Sequence, residues 1–176
     1  MEKMKAKPQL SLSEALKEAM SKLTVMKGRS RRSEFWWTAL VAAIFGWVIG
    51  FIPILGGIVT ILLTLAMIPL AVRRLHDAGH SGWWYAVSLV LGWITGGIYI
   101  VKMMPIFEKM ADNANAEKML DKMMEVYSDP LVVCLMLVSF ILGIIMLVFF
   151  CQDSKPYPNK WGVSPKYDSD EIEVIE

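Results

Sequence analysis

The chain has 176 residues, of which 55% are hydrophobic, and its formal net charge is only +1. Its polar residues are gathered into blocks between long apolar runs, a pattern that excludes an ordinary soluble domain and indicates a polytopic membrane protein. So small a net charge gives no overall field that would attract nucleic acid, and no nucleic-acid partner is expected.

The N-terminal segment, residues 1–27, is predicted to form an amphipathic helix over residues 11–26. Apolar residues recur there at helical spacing, and Ser11 with Glu14 forms a capping-box pattern. Gly28 suits a C-terminal stop. Lysines on the polar face leave two interpretations open: the helix lies on anionic lipid headgroups, or it packs on the cytoplasmic face of the protein itself.

Four apolar runs reach the length of a membrane span, and none contains an Asp, Glu, Lys or Arg. The short connection between the first two runs predicts a tight helical hairpin. The predicted class is therefore an all-α polytopic membrane protein with four transmembrane helices. A membrane domain is expected over residues 28–166, followed by an acidic tail at 167–176, with spans at about 36–52, 54–72, 83–101 and 131–151.

Orientation is predicted from the placement of Lys and Arg. Residues 1–35 carry nine of them, the loop between the second and third runs carries two, and the first connection carries none. Positive charge favours the cytoplasmic side. We therefore expect both termini and the 73–82 loop in the cytoplasm and the 102–130 loop outside.

The outer loop is predicted to be helical with a break near Asp112-Asn113, and it is rich in Met. Thioether groups bind Cu(I), but packing on the protein or in the membrane interface is the favoured role for these side chains. Cys134 and Cys151 lie in or at the end of the fourth run, too far apart to pair, and are interpreted as structural thiols. No cofactor is expected.

Three polar patterns flank the spans on the predicted cytoplasmic side. The first precedes span one, the second joins spans two and three, and the third follows span four. We expect them to form one cluster that contacts lipid headgroups or a partner protein, and its candidate residues are Arg29, Arg32, Arg73, Arg74, His76, Asp77, Ser81, Trp83, Trp84 and Asn159.

The second pattern allows several kinds of chemistry. If the second helix continues past Val72, Arg73 and Asp77 have ion-pair spacing, and Arg74 points towards phosphates or the acids of another pattern. His76 beside Asp77 suits a general base acting on a phosphorylated lipid, although no nucleophile is marked. His76-x3-His80 has metal-like spacing, but Gly79 argues against one helix presenting both imidazoles, so no metal site is expected.

These patterns together resemble domain of unknown function 805, a family of small bacterial inner-membrane proteins. The resemblance is carried by Gly28-Arg29-x2-Arg32, by Arg73 through Trp84, and by Asn159-Lys160-Trp161-Gly162-Val163-Ser164-Pro165. Trp161 and Val163 depart from the tail of the family pattern, and the 102–130 loop is longer than usual. The resemblance implies a four-span inner-membrane protein and no particular activity.

The sequence therefore favours a non-enzymatic inner-membrane protein whose polar cluster binds membrane lipids, a second copy of the chain or another membrane protein. Two alternatives stay open. One is an oligomeric channel or small-solute transporter, for which glycines such as Gly46 and Gly50 offer close-packing surfaces. The other is an interfacial enzyme acting on a phosphorylated lipid.

Overall fold

The computed structural model describes residues 2–52, 54–111 and 116–174. Four of its helical segments are long and apolar enough to cross a membrane: Arg32–Gly50, Leu55–Ala78, Trp83–Glu108 and Pro130–Cys151. They correspond to the four predicted runs, which confirms the four-span fold class. The described elements are β1 (Glu2–Ala6), α1 (Leu12–Ser21), α2 (Arg32–Gly50), α3 (Leu55–Ala78), α4 (Trp83–Ala111), α5 (Ala116–Ser128), α6 (Pro130–Cys151) and β2 (Tyr167–Val174).

The chain divides into two compact units. One comprises Met1–Tyr85 with Val148–Glu176, and the other comprises Ala86–Leu147. In the first unit α1 packs on α2, α2 packs on α3, and the core contains Ala19, Phe35, Leu70 and Ala71. All three polar patterns fall in this unit.

In the second unit, polar contacts join α4 to the segment around α5. Lys102 pairs with Asp129, and the hydroxyl groups of Tyr99 and Tyr127 lie 2.7 Å apart. Asp129 also accepts the backbone N–H of Leu131 at 2.9 Å, at the start of α6. The hydrogen bond from Lys102 holds the pKa of Asp129 below its ordinary value. The 102–130 loop is helical as predicted, whereas the break expected near Asp112-Asn113 lies outside the described residues.

The amphipathic helix α1 is shorter than the 11–26 prediction. Its capping box is present: Ser11 Oγ accepts the N–H of Glu14, and the Glu14 carboxylate accepts the N–H of Ser11 at 2.8 Å. The helix ends at Ser21, with Lys22 as its C-cap, so the prediction that Gly28 ends it is wrong. Gly28 instead takes a positive φ of 92° in the turn before α2.

The second span extends beyond its predicted end at Val72. The helix α3 continues through the charged residues to Ala78 and stops at Gly79, which adopts the left-handed conformation with φ 87°. Most of the predicted 73–82 loop is therefore helix. Buried ion pairs allow this extension. The charged side chains of the last turns of α3 can be buried against the protein because each has a partner of opposite charge.

A short two-stranded sheet joins the ends of the chain, and the all-α prediction did not include it. β1 pairs antiparallel with β2, with Lys3 opposite Glu173 and Ala6 opposite Tyr167. These segments are rich in Lys, Asp and Glu, residues that are depleted in strands, so composition gave no strand signal. The predicted acidic tail therefore includes a strand.

Candidate functional site

The Asp77 carboxylate lies at the centre of a buried cluster at the C-terminal end of α3. Its Oδ1 accepts a hydrogen bond from Arg29 Nε at 2.9 Å, and its Oδ2 accepts one from Arg74 Nη1 at 2.8 Å. The Ser154 hydroxyl also donates to Oδ2. Asp77 and Arg74 are completely buried. We call Arg29, Arg74, Asp77 and Ser154 the Asp77 cluster.

The two arginines of this cluster also donate hydrogen bonds to backbone carbonyls at the end of α6 and in the segment after it. Arg29 donates to the carbonyl of Tyr157 at 3.0 Å and to that of Lys155. Arg74 Nη2 donates to the carbonyl of Phe150 at 3.0 Å. The cluster thus ties the turn before α2, the end of α3 and the C-terminal segment together. Donors engaged in this way favour a structural role for both arginines.

Arg73 forms a second buried ion pair, with Glu34 of α2. Arg73 Nη2 lies 3.2 Å from Glu34 Oε1, and Nη1 donates to the carbonyls of Lys22 at 2.7 Å and Val25 at 2.6 Å. The predicted pairing of Arg73 with Asp77 is therefore wrong, and Arg74, expected to point towards phosphates or the acids of another pattern, pairs with Asp77 instead. The i,i+3 spacing of Arg74 and Asp77 also places them on one helix face, while Arg73 turns towards the backbone carbonyls of the turn that follows α1.

His76 and Asn159 make further contacts at the C-terminal end of α3. The His76 ring stacks on Trp161 with centroids 4.4 Å apart, and its Nδ1 lies 3.2 Å from the carbonyl oxygen of Gly28, a contact that requires the proton on Nδ1. Asn159 Nδ2 donates to the carbonyl of His76 at 2.9 Å. Asn159 therefore adds a second donor to a carbonyl at the end of α3 that also accepts the N–H of Gly79 at 3.1 Å.

The other candidates of the second pattern lie outside the Asp77 cluster. Ser81 Oγ accepts the N–H of Trp83, whose side chain is exposed, and Trp84 packs edge-on against Phe149. His80 Nε2 lies 2.8 Å from the Gln152 side chain. Among the residues that the structure describes, no group of three His, Cys, Asp or Glu side chains could hold a metal ion.

Arg32, in contrast, lines an open groove at the first turn of α2. The groove has a volume of about 640 Å³. Arg31, Arg32 and Lys166 supply its cations, and Trp36, Trp37 and Leu40 supply an apolar wall. Gln9, Ser33, Cys151 and Ser154 complete the lining. We call this cavity the Arg32 groove.

The Arg32 groove carries excess positive charge. Asp153 pairs with Arg32 at 3.0 Å and with Lys166 at 2.6 Å. Arg31 is bound by backbone carbonyls, Lys7 at 3.1 Å and Pro8 at 2.7 Å, which leave its charge in place. Three cations against one carboxylate give a formal local charge of +2.

The Asp153 carboxylate, which pairs with two cations of the groove, stays ionised. Burial alone would raise the pKa of Asp153, but hydrogen bonds from Lys166 and the Ser154 N–H, together with the Arg32 charge, hold it below its ordinary value. Burial would likewise lower the pKa of Lys166, whereas its hydrogen bond to Asp153 raises it overall. Asp153 and Lys166 therefore both stay charged at neutral pH.

Sequence reasoning missed Glu34 and Ser154, the groove residues Arg31 and Lys166, and Asp153, which pairs with two cations of the groove. Glu34 lies two residues after Arg32, the last arginine of the first pattern. Because a buried guanidinium such as that of Arg73 requires a partner, a nearby carboxylate such as Glu34 could have been sought. The other residues come together only through the long-range contacts of the C-terminal segment. Local spacing carries no signal for such contacts.

Comparison with known proteins agrees with this architecture. Residues 23–116 match the family model described as Protein of unknown function (DUF805). Inner membrane protein YhaI of Escherichia coli (strain K12) is 38% identical over 77 residues, covering 38% of this chain and 65% of YhaI. Inner membrane protein YhaH of the same strain is 38% identical over 82 residues, covering 39% of this chain and 68% of YhaH.

The chain thus spans about two thirds of the length of each relative. No solved structure matches it. The family match covers more than half of the chain, including α2, α3 and the charged side chains of the buried ion pairs at their ends, Arg29, Glu34, Arg73, Arg74 and Asp77. The chain therefore belongs to the DUF805 family, an integral inner-membrane protein family.

Proposed function

We propose that the protein binds an anionic phospholipid at the cytoplasmic face of the membrane, with the phosphate of the lipid in the Arg32 groove. The observation that carries this proposal is the excess positive charge of the groove, which lies next to the exposed side chains of Trp36, Trp37 and Leu40. Phospholipids combine an anionic phosphate with an apolar body, and the groove has the same two-part character.

The donors of the groove are suited to a phosphate. The Arg32 side chain is 45% exposed, so its guanidinium can reach a ligand without breaking a buried network. Arg binds phosphate through two parallel N–H bonds, and Lys166 adds a point charge. The buried Arg29, Arg73 and Arg74 lack this freedom, so we assign them to the scaffold that supports the groove.

The apolar wall fits the membrane interface. Trp36 and Trp37 are each 39% exposed and lie in the second turn of α2, a transmembrane helix. Tryptophan is enriched at the level of lipid headgroups. Leu40 lies one turn deeper in α2 and extends the wall towards the hydrocarbon.

The cytoplasmic placement of the groove rests on the distribution of positive charge. Arg31, Arg32 and the other basic residues before α2 flank the membrane on one side, where the positive-inside rule favours the cytoplasm. The cytoplasmic leaflet of a membrane carries anionic lipids, and a juxtamembrane cation contributes about 1 kcal/mol to their attraction. The expected ligand is therefore abundant next to the groove.

Purification from native membranes tests this proposal. The lipids and proteins bound to the wild type, to the double variant Arg32→Gln with Lys166→Gln, and to the control Lys27→Gln are identified by mass spectrometry. Lys27 is an exposed cation outside the groove. We expect anionic phospholipid to be depleted only in the double variant. Equal lipid in all three, or loss of a co-purifying protein instead of lipid, contradicts the proposal.

A further inference from the structure

A second cavity lies between α1, α2 and α3, and its lining is apolar. Its volume is about 220 Å³. Leu16 and Met20 of α1, Val41 and Phe45 of α2, and Leu63 and Met67 of α3 form most of its walls. Thr38, a polar residue of the lining, donates its hydroxyl to the carbonyl of Glu34 at 2.8 Å. The cavity therefore offers a ligand dispersion contacts rather than hydrogen bonds.

Small residues create this cavity. Ala19, Ala42 and Ala66 lie in its lining, one from each of the three helices. Ala15 and Ala19 of α1 are buried, so α1 approaches α2 closely along its alanine face. The larger residues Leu16 and Met20 of α1 form part of the wall of the cavity. A Leu in place of these alanines would fill it.

The mouth of the cavity lies along a membrane-spanning helix. Met20 is 68% exposed and Phe45 is 50% exposed, and Phe45 lies within the span Arg32–Gly50. In a membrane these side chains face lipid chains rather than water. At the other end Lys22 lines the cavity and pairs with Glu18, so a polar rim stands where α1 ends.

The geometry points to one acyl chain of a membrane phospholipid seated between α1 and the first two spans. An enclosed apolar cavity of ~150 Å³ binds benzene, so a cavity of about 220 Å³ has room for a short segment of an acyl chain. The exposed side chains Met20 and Phe45 mark the side from which the chain enters. The headgroup of the lipid stays outside the cavity, near the polar pair Lys22 and Glu18.

This lipid is distinct from the one in the Arg32 groove. Trp36 lines the groove and Phe45 lines the cavity. These residues are nine positions apart in α2, which places them on opposite faces of an α-helix. The groove and the cavity share no lining residue, so variants can be chosen that alter one site without replacing a residue of the other.

Photocrosslinking in nanodiscs tests the acyl-chain site. The full chain is reconstituted in phosphatidylethanolamine and phosphatidylglycerol with a trace of phospholipid that carries a diazirine on its acyl chain, and crosslinked residues are mapped by mass spectrometry. We expect crosslinks at Leu16 and Met67. They should be lost in Ala66→Phe and kept in Ala43→Phe, because Ala43 is exposed and lies outside the cavity.

Absence of crosslinks at Leu16 and Met67 in the wild type overturns the proposal, whatever happens to the variants. If Ala66→Phe does not fold, Ala42→Leu replaces it as the filling variant. Crosslinks that persist in a folded, filled variant also overturn it. A cavity that takes up xenon but no labelled chain would show a small-molecule void instead of a lipid site.

Discussion

Replacing Asp77 by Asn removes the negative charge of the Asp77 cluster while nearly preserving its shape. Arg29 and Arg74, both buried, then face a neutral amide. Breaking a buried ion pair by removing one partner costs about 3–5 kcal/mol. Both arginines keep their backbone carbonyl acceptors in the variant. We therefore expect the free energy of unfolding to fall by an amount near the lower end of this range, about 3 kcal/mol.

Thermal unfolding in detergent measures this loss. For a chain of this size ~1 kcal/mol shifts the midpoint by about 2–4 °C, so the midpoint of Asp77→Asn should fall by about 6–12 °C. The exposed Asp121→Asn is the matched control and should shift little. Adding Arg74→Gln should cost less in the Asp77→Asn background than in the wild type. A midpoint for Asp77→Asn within ~2 °C of the control would refute this account of the cluster.

Further predictions concern the groove and the end of α3. Asp153→Asn raises the formal charge of the Arg32 groove from +2 to +3, and native mass spectrometry should show more retained anionic lipid than in the wild type; less lipid would contradict the charge argument. The lowered pKa of Asp153 means that its contribution to stability is complete above its ordinary pKa of 3.8 and is lost as the pH falls through the lower folded-state value. Unfolding midpoints should therefore fall more steeply with acid in the wild type than in Asp153→Asn, and parallel curves would exclude this contribution. Gly79→Ala places a Cβ at a φ of 87° and 2.6 Å from Lys155 Cε, so we expect a loss of at least about 1–2 kcal/mol in thermal unfolding. Lys155→Ala should restore only part of it, since the backbone strain remains, and a wild-type midpoint for Gly79→Ala would show that the position tolerates a side chain.

The four spans and the capping box of α1 were predictable because their signals are local. Uninterrupted apolar runs mark the spans, and Ser11 with Glu14 marks the start of α1. The end of α3 was not predictable in the same way. Arg73 through Asp77 resemble a polar loop until their partners are known, and Glu34 and Ser154 come from distant parts of the chain.

The candidate site was predicted only in part. The sequence marked the arginines of the three patterns, but charge alone does not separate a buried guanidinium from an exposed one. The structure makes that separation: Arg73 and Arg74 are buried, while Arg32 lines an open groove. Asp153 and Lys166 join Arg32 there because the Asp77 cluster holds the segment after α6 in place.

The strands at the chain ends show a further limit of local patterns. The contact of β1 with β2 joins residues more than 160 positions apart, and the backbone N–H of Lys7 donates to the carbonyl of Lys166 at 2.8 Å beside the sheet. This pairing holds Lys166 next to the segment that carries Arg31, whose guanidinium binds the Lys7 carbonyl. The chain ends thus contribute to the groove through backbone contacts.

A lipid titration tests the central claim most directly. The protein in detergent is titrated with phosphatidylglycerol and, separately, with phosphatidylcholine, and bound lipid is counted by native mass spectrometry. Wild type and Lys27→Gln should bind phosphatidylglycerol more tightly than phosphatidylcholine, and Arg32→Gln with Lys166→Gln should lose this preference. Equal preference in the double variant and the wild type would contradict the assignment of the Arg32 groove as the headgroup site.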